Sequence, residues 1–306
     1  MQTLAHAPAT DGQIKQIARV ASDAAEKAVR NYADFSKEGA QRVHGNPEFA
    51  VRVREATILA LADLSTGKFE DEEVQSNYTY PREYDGPKPI EEQIKALAEI
   101  LGLDPAHALE YAKNLPELPA GAEGWFAIPS SNGLKKLFPQ IENDAERYCA
   151  GVRLVHEKIA TSRKFYNWRD GQITPNRLKV HARTAHALDL VAENQPGDIL
   201  IVAGQLGMRH RGRSVRRARE CFDSNEFGLG SLAVGSVVLT HPNRLVRWEE
   251  LDMDCSGDEF DDPDAGVRFD RAPFFNFNDG KVKFDTYWFV DASGRYGSAS
   301  AFVPQS

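Results

Sequence analysis

Two alternating apolar runs, PFFNFN from Pro273 and KVKFDTYWFV from Lys281, are separated only by Asp279-Gly280. An Asp-Gly pair supplies the two positive-φ residues that the tightest hairpin turn needs, and apolar residues at every second position read as strands with one buried face. The C-terminal part of the chain therefore carries an antiparallel ladder, which excludes an all-helical fold and a purely parallel one built from strand-helix-strand crossovers. Asp198-ILIVA adds a short strand bounded by turn residues, and a last strand is expected over Ala299–Val303.

The first half follows a different period. Ile14, Ile17, Ala18, Ala21, Ala25 and Val29 recur at three- and four-residue steps, so a helix is expected from Asp11, as its cap, to Asn31. Pro47 opens a second helix to about Leu64, with Phe49, Val53, Ala56, Leu59 and Ala60 inward. Residues 66–89 are acidic and then rich in Tyr, Pro and Gly, and read as a linker. Helices follow over Ile90–Leu101 behind Pro89, from Asp104-Pro105 to Asn114, over Glu142 to about Arg163, and over Pro175–Asn194 behind Thr174. The expected class is α+β: a helix-rich N-terminal half, then a mostly antiparallel sheet with a strand-loop-helix unit near 198–222. The expected division is a helical region 1–133 and an α+β domain 134–306, with helices in 142–194 and the sheet in 198–304.

With 306 residues, 42% of them hydrophobic and 27% charged, the chain can bury a substantial core. No run approaches the roughly 18 to 20 apolar residues of a membrane span, the longest being Leu229–Thr240. The opening MQTLAHAPATDGQIKQ has no apolar core of a secretory signal, and Cys149, Cys221 and Cys255 are odd in number and far apart. A cytoplasmic protein without a membrane partner is expected.

The net charge of −8 conceals a partition. Residues 1–150 hold 16 basic against 24 acidic residues, 151–219 hold 14 against 5, and 220–306 hold 7 against 16. The basic centre peaks at GQLGMRHRGRSVRRARE. Arg209, Arg211, Arg213, Arg216, Arg217 and Arg219, with His210, crowd around a helix start, a density that acids or bound phosphate must compensate. Gly207, Gly212, Arg213 and Ser214 give G-x-x-x-x-G-R-S, which resembles the phosphate-binding loop of P-loop NTPases over eight residues, with Arg213 where that pattern has Lys. The resemblance implies a phosphate cradle, Ser214 on magnesium or as helix cap, and Arg213 as the charge. No apolar run ending in Asp follows as the usual metal-binding partner of that loop.

A second basic stretch, Lys164-Phe-Tyr-Asn-Trp168-Arg169, interleaves aromatics with cations, the combination that stacks unpaired bases while neutralising phosphates. Asp252, Asp254, Asp258 and Glu259 are candidate ligands for Mg or Ca, Asp252 and Asp254 sharing one strand face. His181 and His186, five apart on the expected helix, cannot chelate one metal as an i,i+4 pair would, and FGLGSLAVG misses the dinucleotide-binding spacing. The leading expectation is a binding protein, rather than an enzyme, for a phosphate-rich partner, nucleic acid first, through the central basic surface. Two alternatives stand beside it. One is a metal-dependent phosphoryl or phosphodiester enzyme; the other is an assembly protein, a homo-oligomer included, whose oppositely charged regions pair.

Overall fold

The computed structural model describes residues 9–30, 32, 36–64, 68–263 and 266–304. Residues 1–8, on which much of the leader reading rests, lie outside them, as does Asn31 at the expected end of the first helix. The class is α+β, and the chain divides into two compact units, 1–68 and 69–306. The expected division at 133/134 falls inside the second unit, within a helix.

The first unit contains α1 (Asp11–Arg30), α2 (Lys37–His44) and α3 (Pro47–Leu64). The cap of α1 is Thr10, one residue earlier than expected: its hydroxyl accepts from the Gln13 amide at 3.3 Å, leaving Asp11 in the first turn where its charge suits the helix dipole. Ser36 caps α2 through the Gly39 amide at 3.0 Å. No described side chain of α1 or α2 is buried, and the expected inward residues Phe49 and Val53 of α3 are exposed.

The second unit runs α4 (Ile90–Leu101), α5 (Ala106–Tyr111), β1 (Gly124–Pro129), α6 (Ser131–Leu137), α7 (Asp144–Ser162), β2 (Phe165–Asn167), β3 (Leu178–Val180) and α8 (Ala182–Glu193). It continues through β4 (Ile199–Gln205), α9 (Val215–Cys221), β5 (Glu226–Gly228), α10 (Ser231–Thr240), β6 (Asp252–Asp254), β7 (Asp258–Phe260), β8 (Arg271–Asn278), β9 (Lys281–Trp288), β10 (Tyr296–Ser298) and β11 (Ser300–Phe302). The smaller sheet is antiparallel in the order β1-β4-β11-β5. The larger is mixed: β10-β6-β8-β7-β3, with β9 on β8 and β2 parallel to β9.

The Asp279-Gly280 hairpin joins β8 to β9, both turn residues having positive φ (52° and 71°) and Asn278 standing opposite Lys281. The apolar run Leu229–Thr240 becomes α10, apolar around its whole circumference and almost wholly buried against α7, β1, α4 and β8. Gly235 permits the α7 approach, since a Cβ there would stand 2.6 Å from Val155. Among the described residues no helix is long and apolar enough to cross a membrane.

One expected helix, Pro175–Asn194, begins with a three-residue strand. Leu178–Val180 pairs with β7 and buries Leu178, and α8 begins only after His181, whose amide donates to Gly257 O at 2.8 Å. Pairing with a segment some eighty residues away overrides the local helical pattern. The expected linker also has a structural role within the second unit: Val74 N donates to Gly212 O at 2.8 Å, and Glu73 bridges Arg213, so residues 69–76 form a strap across the strand-loop-helix unit.

Candidate functional site

The strand-loop-helix unit exists as β4, a loop with Gly207 (φ 116°) and Gly212 (φ 78°), and α9. Ser214 caps α9, its Oγ accepting from the Arg217 amide at 3.0 Å and donating to Glu72 Oε2 at 2.6 Å. The close approach that Gly207 permits is to the backbone of Gly297, whose oxygen lies 2.8 Å from where a Cβ would stand. Amides of the loop also bond within the chain, Gly212 N donating to Tyr296 O at 2.9 Å and Ser214 N to Glu72 O at 3.1 Å.

Each cation of the cluster also has an internal partner. Arg209 meets Asp223 at 2.6 Å and Glu226 at 3.3 Å, and buried His210 meets Glu226 at 2.7 Å. Arg213 and Arg217 share Glu73 at 3.2 and 2.5 Å, Arg217 also reaching Glu220 at 2.7 Å. Arg216 pairs with Glu72 and lies 3.8 Å from the Phe69 ring centre. Arg211 donates to Tyr78 O, and Arg219 to Ser256 O and Asp258 O at 2.8 and 2.7 Å. Binding phosphate here would compete with acids already in place.

The four acids proposed as metal ligands diverge. Asp258 accepts from the Ser231 amide at 2.7 Å at the start of α10 and from the Tyr148 hydroxyl at 2.8 Å; Glu259 pairs with Lys179 at 3.1 Å. Asp252 stands 2.9 Å from Arg295, and Asp254 accepts from the Tyr287 hydroxyl at 3.1 Å. Among the described residues no group of three or more His, Cys, Asp or Glu is arranged to hold a metal ion.

Asp252 and Asp254 do share a face, as alternation requires, and strand register extends that face across the larger sheet. Asp254 stands opposite Phe274 on β8 and Ser298 on β10; Phe274 stands opposite Asp285, and Asn276 opposite Lys283, on β9; Lys283 stands opposite Tyr166 on β2. The other face, with Met253, Phe275, Val282 and Phe284, belongs to the core. Comparison with known protein families, with curated proteins and with solved structures finds no match.

The two ends of this polar face differ. At the β6–β10 end Asp252 and Asp254 are fully buried, and Tyr287 stacks on Tyr296 at 4.4 Å. Burial pushes the Asp252 carboxyl up to about 7 against the pull of Arg295, and holds Asp254 well above the ordinary carboxyl range against its bond from Tyr287. At the β2 edge the face is open. Trp168 is 54% and Tyr166 45% exposed, their rings 4.8 Å apart and nearly perpendicular. Lys164 is exposed beside them, and Lys281 Nζ lies 5.7 Å from the Tyr166 ring centre.

Of the second basic stretch, Lys164 and Trp168 thus reach solvent together, while Arg169 turns inward to Asp285 at 2.9 Å and Asp262 at 3.1 Å. Tyr166 and Lys281 complete the edge and were not among the expected contacts; Lys283, opposite Tyr166, is tied to Asp279 at 2.5 Å. Their signal was the shared two-residue period of Tyr166-x-Trp168 and Lys281-x-Lys283, legible only if 165–167 is taken as a strand beside β9.

Proposed function

We propose that the chain binds single-stranded nucleic acid along the β2 edge of its larger sheet. The observation that carries this reading is the exposed Tyr166–Trp168 pair, flanked by Lys164 and Lys281. Large rings left in water on an edge strand are a cost unless something covers them, and an unpaired base offers a flat face that stacks on either ring while lysines neutralise its phosphate. The site moves from the arginines of 209–219, engaged with Glu72, Glu73, Asp223 and Glu226, to the cations beside the aromatic pair.

Fluorescence anisotropy with labelled single-stranded RNA and DNA tests the proposal. Stacking contributes about 1–3 kcal/mol per base, so Trp168→Ala should weaken binding roughly 5- to 150-fold. Changing Lys164 and Lys281 to Ala should flatten the salt dependence by about 0.7 per lost phosphate contact. Absence of binding at low salt, or equal binding by Trp168→Ala, would remove the reading.

The assembly reading has its own observation. Among the described residues, ten of the seventeen exposed large hydrophobic side chains lie in residues 14–61, among them Ile14, Ile17, Val20, Phe49, Val51 and Ile58. That concentration favours burial of the first unit's helices against a partner through apolar contact.

A further inference from the structure

Outside the sheet face, a pocket of about 380 Å³ opens beside the turn that precedes β6. Its walls are Tyr80, Thr79 and Pro81 on one side and the 247–250 turn on the other, with Arg82 and Arg247 at the mouth. The Tyr80 ring is a fixed wall: its hydroxyl is tied to Glu123 and to the Met208 amide, and the buried Arg244 guanidinium lies 4.2 Å from its centre. Glu250 lines this pocket and is 2% exposed; among the described residues no side chain donates to its carboxylate, which has the Arg247 and Val246 amides of its own turn beside it. A buried carboxyl at a pocket with no side-chain partner keeps acceptor positions for a donor that the chain does not supply.

The two mouth cations are unequal. Arg247 is held by both carboxylate oxygens of Glu83, at 3.0 and 3.1 Å from its Nε, whereas Arg82 is exposed and has no ion pair among the described residues. The pocket therefore has one carboxyl without a side-chain partner in its wall and one guanidinium without an ion pair among the described residues beside it. A divalent cation would face a single buried carboxyl beside two arginines, and a simple anion would meet Glu250 and Glu249. We propose that this pocket binds a small zwitterion of the amino-acid kind, its ammonium on Glu250 and its carboxylate on Arg82. A volume of this size falls in the range of small-molecule sites.

The groups facing Glu250 set the pH behaviour. Burial raises its carboxyl to about 7; the Arg247 and Val246 amides and Arg244 pull it down, and Asp252 pushes it up. Arg163, at the end of α7, also senses it, while Arg82 and Glu249 stand at the pocket. An ammonium needs the ionised carboxylate, so affinity should rise up to about tenfold per pH unit below 7 and level off above it.

The test is saturation-transfer NMR and calorimetry with the proteinogenic L-amino acids, on the unmodified full chain and on Glu250→Gln, Arg82→Gln and, away from the pocket, Glu117→Gln. At least one amino acid should bind, at least about tenfold more weakly to Glu250→Gln and to Arg82→Gln, and unchanged to Glu117→Gln. The pH dependence should vanish in Glu250→Gln. Circular dichroism checks that each variant is folded; Arg82→Gln, at an exposed position, keeps the test decisive should Glu250→Gln fail to fold. No binding of any amino acid at about 10 mM, or equal binding by either variant, would overturn the proposal.

Discussion

Buried side chains and the half-buried His181 give the protein a pH dependence of defined sign. Glu250 and Asp252 hold their protons up to about 7 and Asp254 beyond its usual range, all through burial first. Acids that bind a proton more tightly when folded contribute stability that is complete below their unfolded values, near pH 4, and is lost as pH rises through the folded values. His156, pushed down to about 3, and His181 and His241, to about 4, again by burial, act oppositely: their contribution is present above about pH 6.5 and lost on acidification. The two sets oppose each other between about pH 4.5 and 6.5, where Asp258, raised by burial to about 6, adds to the carboxyls, and above that range the histidines no longer titrate. Thermal melts should therefore show Tm falling from about pH 6.5 to 8.5. Asp254→Asn, which keeps an acceptor for Tyr287, should raise Tm at the alkaline end and flatten that fall by up to one proton, about 1.4 kcal/mol per pH unit. An unchanged slope would show that Asp254 does not titrate there. The sequence made the shared face of Asp252 and Asp254 readable from their spacing, but their burial depended on β8 and β10 arriving on either side, which spacing does not report.

At the level of elements, the strap 69–76 and α9 form one electrostatic unit. Ser214 and Arg216 meet Glu72, and Arg213 and Arg217 meet Glu73. Changing Arg209, Arg211, Arg216 and Arg217 together to Ala should lower Tm, since it strands Glu72, Glu73 and the buried Glu226 beside lost partners. The converse variant, Glu72→Gln with Glu73→Gln, should free guanidiniums and create salt-sensitive binding of single-stranded RNA that the unmodified chain lacks at this surface; anisotropy on a Trp168→Ala background isolates the gain. Unaltered binding there would mean that the acids do not mask the arginines. The hairpin was legible because Asp279-Gly280 carries its turn geometry locally, and α4 and α7 because their apolar patterns match what they bury; α10 was not, because a helix apolar on every side carries no period to read. The strap was not, because its acids find their arginines some 140 residues away, and β3 was not, because three residues carry too short a period to outweigh the helix that follows.

On the scale of the whole molecule, the second unit contains the buried hydrophobic core, from Tyr84 to Phe302, whereas α1 and α2 bury nothing. An isolated helix of about twenty residues is marginal in water, and its apolar stripe gains most by packing. Residues 69–306 alone should fold with a Tm within a few degrees of the full chain. Light scattering should find the full chain self-associated at high salt and the 69–306 fragment monomeric. A monomeric full chain would end the assembly reading. The smaller sheet adds a constraint of time. Its third plank, β11, lies between β4 and β5 although both precede it by more than seventy residues. A ribosome that has released the chain only as far as Gly228 has delivered β1 and β4 as a pair and β5 with an open edge. That edge stays exposed to chaperones and to other nascent chains until residues 300–302 emerge, so the rate of synthesis across this interval governs how much of the protein reaches its native state.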